Sequence, residues 1–208
     1  MVATNIPSFT QRTGGSLTRE KFLLPEIRII AKLRLEGEAD ETIIDRAQSE
    51  NIFQYPTDKE IKSIARACLA RLDALQSKRL TELVANGTPT QAKQTNIYAM
   101  MKLYNVMDEF MTTEIGERYE TLNYFFSPMD MNAFMTRYQA EHDFAAAWSD
   151  ATVKRIKSTL MNCLEHGEFI QKSTDTLLPV LLDFEIEETL RQLGDTRALV
   201  AFNCIGGF

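Results

Sequence analysis

The sequence predicts a mainly α-helical protein, and three observations support this fold class. Only 9 of the 208 residues are glycine and 6 are proline, too few for a turn-rich all-β architecture. Apolar residues recur at helical spacing through most of the chain. The composition is 44% hydrophobic and 25% charged, typical of a globular protein with a sizeable core. We therefore expect a multi-helix protein with an N-terminal helix-turn-helix-like trio and a C-terminal winged-helix-like module that carries one short β-hairpin.

Turn-forming residues divide the chain into three regions. Asn86-Gly87-Thr88-Pro89 is the clearest break, and Ser127-Pro128 begins a further helix. The predicted regions are an N-terminal helix-turn-helix-like region over residues 1–86, a central long-helix region over 87–126 and a C-terminal winged-helix-like region over 127–208.

The N-terminal region predicts a polar arm over residues 1–18, followed by three helices. Pro25 suits a first helical position, and a capping box starts at Thr57. The three helices are expected at about 25–36, 40–50 and 57–76.

The sequence of the central region predicts a long helical stretch from about Thr90 to Tyr119. Its apolar stripe is rich in methionine, a flexible side chain that fills irregular gaps. A metal-binding or partner-binding methionine surface is the alternative, and a methionine-filled core is favoured.

The C-terminal region predicts the element order of a winged helix. A helix beginning near Ser127 is followed by a short apolar segment over 144–148 and a helix over 151–166. Residues 168–178 then predict a hairpin, and final helices are expected over 180–193 and 196–202.

Charge is distributed unevenly along the chain. Lys and Arg total 23 and Asp and Glu total 29, a formal net charge of −6. Residues 1–105 nevertheless carry a net +3, and residues 106–208 carry a net −9. An acidic total disfavours nucleic-acid binding by the whole surface, but a local basic face is enough.

Several classes of function lack their sequence signatures. The chain has no GxxxxGK[ST], no strand–GxGxxG–helix and no GxSxG motif, so we predict that it is not an enzyme. Its three cysteines and two histidines are scattered, which predicts neither a metal nor another cofactor. Odd, widely spaced cysteines, the lack of a long apolar stretch and the lack of a secretory signal predict a cytoplasmic protein without a membrane span.

The third predicted helix carries the first candidate DNA-binding face. Lys59, Lys62, Ser63 and Arg66 are spaced by three, one and three residues, so they share one side of the helix, and Arg71 adds a further cation. In a helix-turn-helix, such a third helix meets DNA. The alternative is a solvated face that nearby acidic residues dilute.

The helix over 151–166 carries the second candidate face, with the hairpin beside it. Val153, Ile156 and Leu160 would anchor its buried side. The predicted contacts are Thr152, Lys154, Arg155, Lys157, Ser158, Asn162 and, near the hairpin tip, Lys172. The alternative is protein contact alone, since Glu165, Glu168 and Asp175 lower the local field.

Seven segments, spread over nearly the full length of the chain, together suggest a family. They are Leu23 to Ala31, Glu50 to Phe53, Arg71-Leu72, Gln94 to Tyr98, Trp148 to Ile156, Gly167 to Ile170 and Leu178 to Leu182. None is a catalytic signature, but in their order and spacing they resemble the BrxA family of bacteriophage exclusion (BREX) defence systems.

The resemblance implies a small, mostly helical, non-enzymatic protein that binds double-stranded DNA. Its implied partners are other BREX proteins, namely a DNA methyltransferase, an alkaline-phosphatase-like protein and an ATPase. The working hypothesis is a sequence-tolerant DNA-binding accessory component that is monomeric on its own. A protein-interaction scaffold and a NusB-like RNA-binding protein are the rival hypotheses.

Overall fold

The computed structural model describes residues 11–204, and this part of the chain confirms the mainly α fold class. It contains eleven α-helices and one two-stranded antiparallel sheet. The helices are α1 (Leu24–Leu35), α2 (Asp40–Ser49), α3 (Asp58–Leu75), α4 (Lys78–Asn86), α5 (Pro89–Leu103), α6 (Asn105–Glu109), α7 (Gly116–Glu120), α8 (Pro128–Glu141), α9 (Asp143–Ala146), α10 (Asp150–His166) and α11 (Phe184–Gln192). The strands are β1 (Ile170–Gln171) and β2 (Thr176–Leu177), the 3-10 turns are Gly15–Thr18, Lys172–Thr174 and Thr196–Phe202, and Phe110–Ile115 is π-helical.

The predicted trio is present as α1, α2 and α3, which together with α4 form the N-terminal helical layer. Thr57 caps α3 by accepting from the backbone N–H of Glu60. Helix α4 was absent from the sequence-based expectation, although Ser77 caps it and Leu80 and Val84 are fully buried. It packs against α1 and α5, while α3 packs against α1, α2 and α5.

The long helical stretch predicted over residues 90–119 is helical on both sides of Tyr104 but is interrupted at that residue. Helix α5 ends at Leu103 because Tyr104 adopts an extended backbone conformation. There, the backbone N–H of Arg12 donates to the Leu103 carbonyl at 2.7 Å, and the Asn105 N–H donates to the Arg12 carbonyl at 2.8 Å. The N-terminal arm thus takes up backbone groups that a continuous helix would pair internally. Helix α6, the π-helical segment and α7 follow.

The arm, residues 11–22, crosses several helices and joins the N-terminal layer to the C-terminal module. Tyr138 of α8 donates to the Thr13 carbonyl at 3.3 Å, and Thr159 of α10 donates to the Leu17 carbonyl at 2.9 Å. Leu17 is itself fully buried. Residues 11–22 are therefore an integral element of the fold; residues 1–10 of the predicted arm lie outside the described residues.

The C-terminal region follows the predicted order of helix, short helix, helix and hairpin, as α8, α9, α10 and β1–β2. Ile170 pairs with Leu177, which confirms the hairpin. Residues 124–126 add a third, extended segment, since the Phe126 N–H donates to the Asp175 carbonyl at 2.8 Å. The last two predicted helices differ in detail: α11 is shorter than expected, and 196–202 is 3-10 rather than α-helical.

The core runs through the centre of α5, α6 and the π-helical segment. Met100, Met101, Met107 and Met111 are fully buried, so the methionine stripe is a core. Among residues 11–204, none of the helices combines the length and the apolar character that crossing a bilayer demands.

Candidate nucleic-acid interface

Four side chains of α3 predicted as DNA contacts share one solvent-facing side of the helix, the α3 basic face (Lys59, Lys62, Ser63 and Arg66). Lys62 is half-buried and the other three are exposed. Ile61 is buried on the opposite side, at 1% exposure. The structure thus places these residues together as the sequence predicts, because the helix is amphipathic.

The arm brings further cations to this face, and the helical pattern of the sequence did not predict them. Arg12 and Glu20 of the arm line a cleft of about 390 Å³ together with the α3 basic face. An adjoining cleft of about 370 Å³ is lined by Arg19 and Lys21, with Lys59 among the α3 residues. We call this surface the basic strip; its cations are Arg12, Arg19, Lys21, Lys59, Lys62 and Arg66.

Most cations of the basic strip have no salt bridge among residues 11–204, although Glu60 also lines its second cleft. Among residues 11–204, only Arg12 of its six cations forms a salt bridge, with Glu20 at 3.6 Å. Glu20 also accepts hydrogen bonds from Ser16 at 3.1 Å and from the Tyr104 hydroxyl. Burial raises the pKa of Tyr104, so that hydroxyl stays protonated as the donor. Five cations are left to meet an anionic ligand.

Arg71 does not belong to this surface, which corrects the sequence-based prediction. Its side chain is 0% exposed and cannot reach a phosphate. It donates to the backbone carbonyls of Glu20 and Phe22, each at 2.8 Å, and to that of Lys21 at 2.5 Å. The side chain of Asn96 also donates to the Phe22 carbonyl, at 2.6 Å. Arg71 instead holds the segment of the arm that presents Lys21.

Three of the α10 residues predicted to contact DNA are exposed. Lys154, Arg155 and Ser158 are exposed, and neither cation has a salt bridge among residues 11–204. Ile156 and Leu160 are fully buried on the other side, as predicted. This face can therefore receive phosphates without disturbing the core.

Two further predicted α10 contacts, Lys157 and Thr152, have partners of their own. The Lys157 ammonium donates to the side-chain oxygen of Asn132 at 2.8 Å. Thr152 is half-buried, and its hydroxyl lies 3.1 Å from that of Ser149, the N-cap residue. These two residues are weaker candidates than Lys154 and Arg155.

Lys172 lies in the turn of the hairpin, as predicted for the wing tip, and it is exposed. Its ammonium pairs with the Glu165 carboxylate at 2.7 Å. Contact with a phosphate would require this surface ion pair to open, at a cost of no more than about 1 kcal/mol.

A larger cleft of about 650 Å³ connects the two candidate surfaces. Lys21 of the basic strip lines it, as does Asn162 of α10. His166 also lines it, with its ring stacked on Phe22 at a centroid distance of 5.7 Å. Lys21 and Asn162 thus border the same cleft, but its lining also includes the carboxylates of Glu26, Glu165 and Glu168.

One cluster within residues 11–204 could present three metal-ligand atoms, a possibility that the sequence analysis missed. The ligand atoms of Glu109, Glu141 and His142 lie within 4.8 Å of one another. Nε2 of His142 already lies 3.0 Å from the Glu109 carboxylate, and Glu141 is exposed. The prediction of no metal therefore stays a prediction, and elemental analysis of the purified protein tests it.

The sequence profile of the BrxA family matches residues 14–194, which cover most of the chain. The chain belongs to the BrxA family. A BREX protein BrxA from Bacillus cereus (strain H3081.97) is 29% identical over 183 residues, which span 87% of this chain and 91% of that protein. A BREX protein BrxA from Escherichia coli O9:H4 (strain HS) is 23% identical over 86% of this chain and 84% of its own length.

The fold also matches a crystal structure of an uncharacterized protein from Magnetospirillum magneticum. The TM-score is 0.78, and the match covers 92% of this chain and 98% of that chain. The two sequences are 20% identical, so this likeness supports the fold alone. The BrxA profile ends at residue 194 and includes the arm from Gly14 onward, both α3 and α10, and the hairpin.

Proposed function

We propose that this BrxA-family chain is a non-enzymatic component of a BREX phage-defence system that binds double-stranded DNA in the cytoplasm. Its relatives are named BREX proteins, which supports a role in such a system. The basic strip supports DNA binding, because five of its cations have no salt bridge among residues 11–204. The proposed partners within the system are the methyltransferase, the alkaline-phosphatase-like protein and the ATPase.

The mode of binding follows from the side chains on the surface. Lysine and arginine contacts to phosphate oxygens position a protein on a duplex without reading its sequence. The α3 basic face offers Ser63 as its one uncharged hydrogen-bonding side chain, and Asn162 lies in a cleft. We therefore expect sequence-tolerant binding, with α3 and the arm as the main contact and α10 as a second contact.

A charge-reversal experiment tests this function. Lys59→Glu combined with Arg66→Glu replaces attraction to phosphate with repulsion at two exposed positions. The matched control is Lys32→Glu combined with Lys78→Glu, two exposed cations that line neither cleft of the basic strip and have no salt bridge among residues 11–204. Fluorescence anisotropy with a duplex should show loss of binding for the first variant and a small change for the control.

The nucleic acid used as probe separates the rival functions. Duplex DNA should bind more tightly than single-stranded DNA or a structured RNA at the same salt concentration. Tighter binding to the RNA would favour the NusB-like hypothesis. No binding to any of the three would favour the scaffold hypothesis.

A further inference from the structure

The exposed large hydrophobic side chains of the described residues all lie in the acidic second half of the chain. They are Leu122, Phe125, Met129, Phe144, Leu181, Phe184 and Leu193. Leu181 is 89% exposed and Phe184 is 73% exposed, and they lie three residues apart at the start of α11. Neighbouring exposed hydrophobic side chains are a feature of protein-contact sites, so this pair is a candidate for one.

The backbone that presents this pair is rigidly held. Gln94 is only 3% exposed, and its side-chain amide donates to the Leu181 carbonyl at 2.8 Å. The side-chain oxygen of Gln94 accepts from the backbone N–H of Asp183 at 2.9 Å. Leu182, between them, is buried at 4% exposure. The loop thus buries Leu182 in the core and holds Leu181 outward, and this pre-ordering lowers the entropy cost of binding a partner.

The surroundings of the pair are acidic. Residues 183–188 contain four carboxylates and no cation. Glu185 pairs with Arg79 and Glu187 pairs with Arg191, whereas Glu188, one turn after Phe184, has no salt bridge among residues 11–204. An occupant that complements this surface needs apolar residues flanked by cations. Anionic lipid and DNA would both be repelled.

We propose that Leu181, Phe184 and Glu188 form a docking surface for an amphipathic, lysine- or arginine-flanked helical segment of a partner protein. A helix of this kind presents apolar anchors on one face, and these would contact Leu181 and Phe184. Cations of the segment would pair with Glu188 and Asp183. This surface shares no residue with the basic strip, so partner and DNA can be bound together.

The test uses the full chain and a defined probe. The probe is a fluorescein-labelled peptide about 16 residues long, enough to begin forming a helix, with leucines on one face and lysines on the other. A second peptide carries glutamates in place of the lysines. Binding is followed by anisotropy for the wild type, for Leu181→Ser with Phe184→Ser, and for Leu122→Ser with Met129→Ser as the matched control.

The wild type and the control should bind the lysine peptide saturably, and the Leu181/Phe184 variant should bind it about tenfold more weakly. Glu188→Lys should also weaken it, and the glutamate peptide should not bind. Equal binding by all variants, or by both peptides, would overturn the proposal. So would a requirement to delete residues 205–208 before the peptide binds, since the chain's own end would then be the occupant.

Self-association is checked in the same samples by sedimentation velocity. The proposal expects the same monomer at all concentrations for the wild type and the Leu181/Phe184 variant. A concentration-dependent dimer that these substitutions abolish would instead identify a second copy as the occupant and contradict the proposal.

Discussion

Arg71 shows how one residue can support a surface without belonging to it. Its guanidinium is fully buried, binds three backbone carbonyls of the arm and lies 5.8 Å from the centroid of the Tyr104 ring. A buried cation is costly unless it is hydrogen-bonded, and here the arm carbonyls accept from both Nη atoms of Arg71, whereas its Nε has no partner among residues 11–204. The position of Lys21 in the basic strip therefore depends on a side chain that solvent cannot reach.

Arg71→Met should destabilise the protein, because it leaves the Glu20 and Lys21 carbonyls of the arm without this donor, while the Phe22 carbonyl keeps only its bond from Asn96. The expected loss in the free energy of unfolding is about 2–4 kcal/mol, since an orphaned buried acceptor costs roughly 1–3 kcal/mol and these carbonyls relax in part. Urea denaturation followed by circular dichroism measures it. Arg66→Met, at an exposed position of the same helix, is the control and should change stability by no more than about 0.5 kcal/mol. Equal effects of the two substitutions would contradict this role of Arg71.

The hydrogen bonds that Asp195 accepts should depend on pH. Its carboxylate accepts from the Tyr98 hydroxyl at 2.9 Å and from the Lys102 ammonium at 2.8 Å, both on α5. Burial alone would raise the pKa of Asp195, but the hydrogen bonds and charge of Lys102 and the Tyr98 bond lower it below its ordinary value. The ionised carboxylate thus ties the 196–202 segment to α5.

Because the folded-state pKa of Asp195 is lowered, its stabilisation is present above the unfolded pKa near 4 and is lost as the pH falls through the folded value. Asp195→Asn should therefore lower the free energy of unfolding by about 1 kcal/mol at pH 7. The gap to wild type should shrink below about pH 4. Denaturation curves at several pH values check this, and a gap that widens with acid would refute it.

At the scale of elements, the sequence is a good guide to local amphipathic patterns and a poor one to long-range pairing. The three helices of the N-terminal trio begin and end close to their expected residues, since caps such as Thr57 are local signals. The break after Leu103 depends on Arg12, which is about ninety residues away in sequence. The residues next to Tyr104 in the sequence do not predict this pairing with Arg12.

The same distinction applies to the candidate site. Helical spacing places Lys59, Ser63 and Arg66 on one face, and the structure agrees. Helical spacing alone could not show that Arg71 is buried, because the arm that covers it comes from elsewhere in the chain. Arg19 and Lys21 were missed for the same reason.

Helix α10 provides a prediction that separates its surface from its core. Lys154→Glu combined with Arg155→Glu should weaken duplex binding and leave the melting temperature unchanged, because both side chains are exposed. Ile156→Asp should destabilise the protein by several kcal/mol, about 3 or more, because it places an unpaired polar group at a fully buried position. Thermal melting and a gel shift on both variants provide the measurement. A charge-reversed protein that melts normally and binds as wild type does would exclude α10 as a contact.

For the whole molecule, the charge asymmetry along the sequence corresponds to different surfaces. The cations of the basic strip come from the first half, which carries a net +3. The exposed hydrophobic side chains come from the second half, which carries a net −9. The acidic residues of the second half repel a bound duplex. Direct contacts between cations and phosphates release counterions, and these contacts should make the affinity fall steeply with salt.

The most direct measurement is the salt dependence of duplex binding. If about five cations of the basic strip contact phosphates, a plot of log K against log salt should have a slope of about −4 to −5, because each contact releases condensed counterions. Lys59→Ala combined with Arg66→Ala should make the slope shallower by about 2, one contact each. The Lys32→Ala and Lys78→Ala control should keep the wild-type slope. A flat response, or a slope that the Lys59 and Arg66 substitutions leave unchanged, would contradict the assignment of the basic strip as the DNA-binding surface.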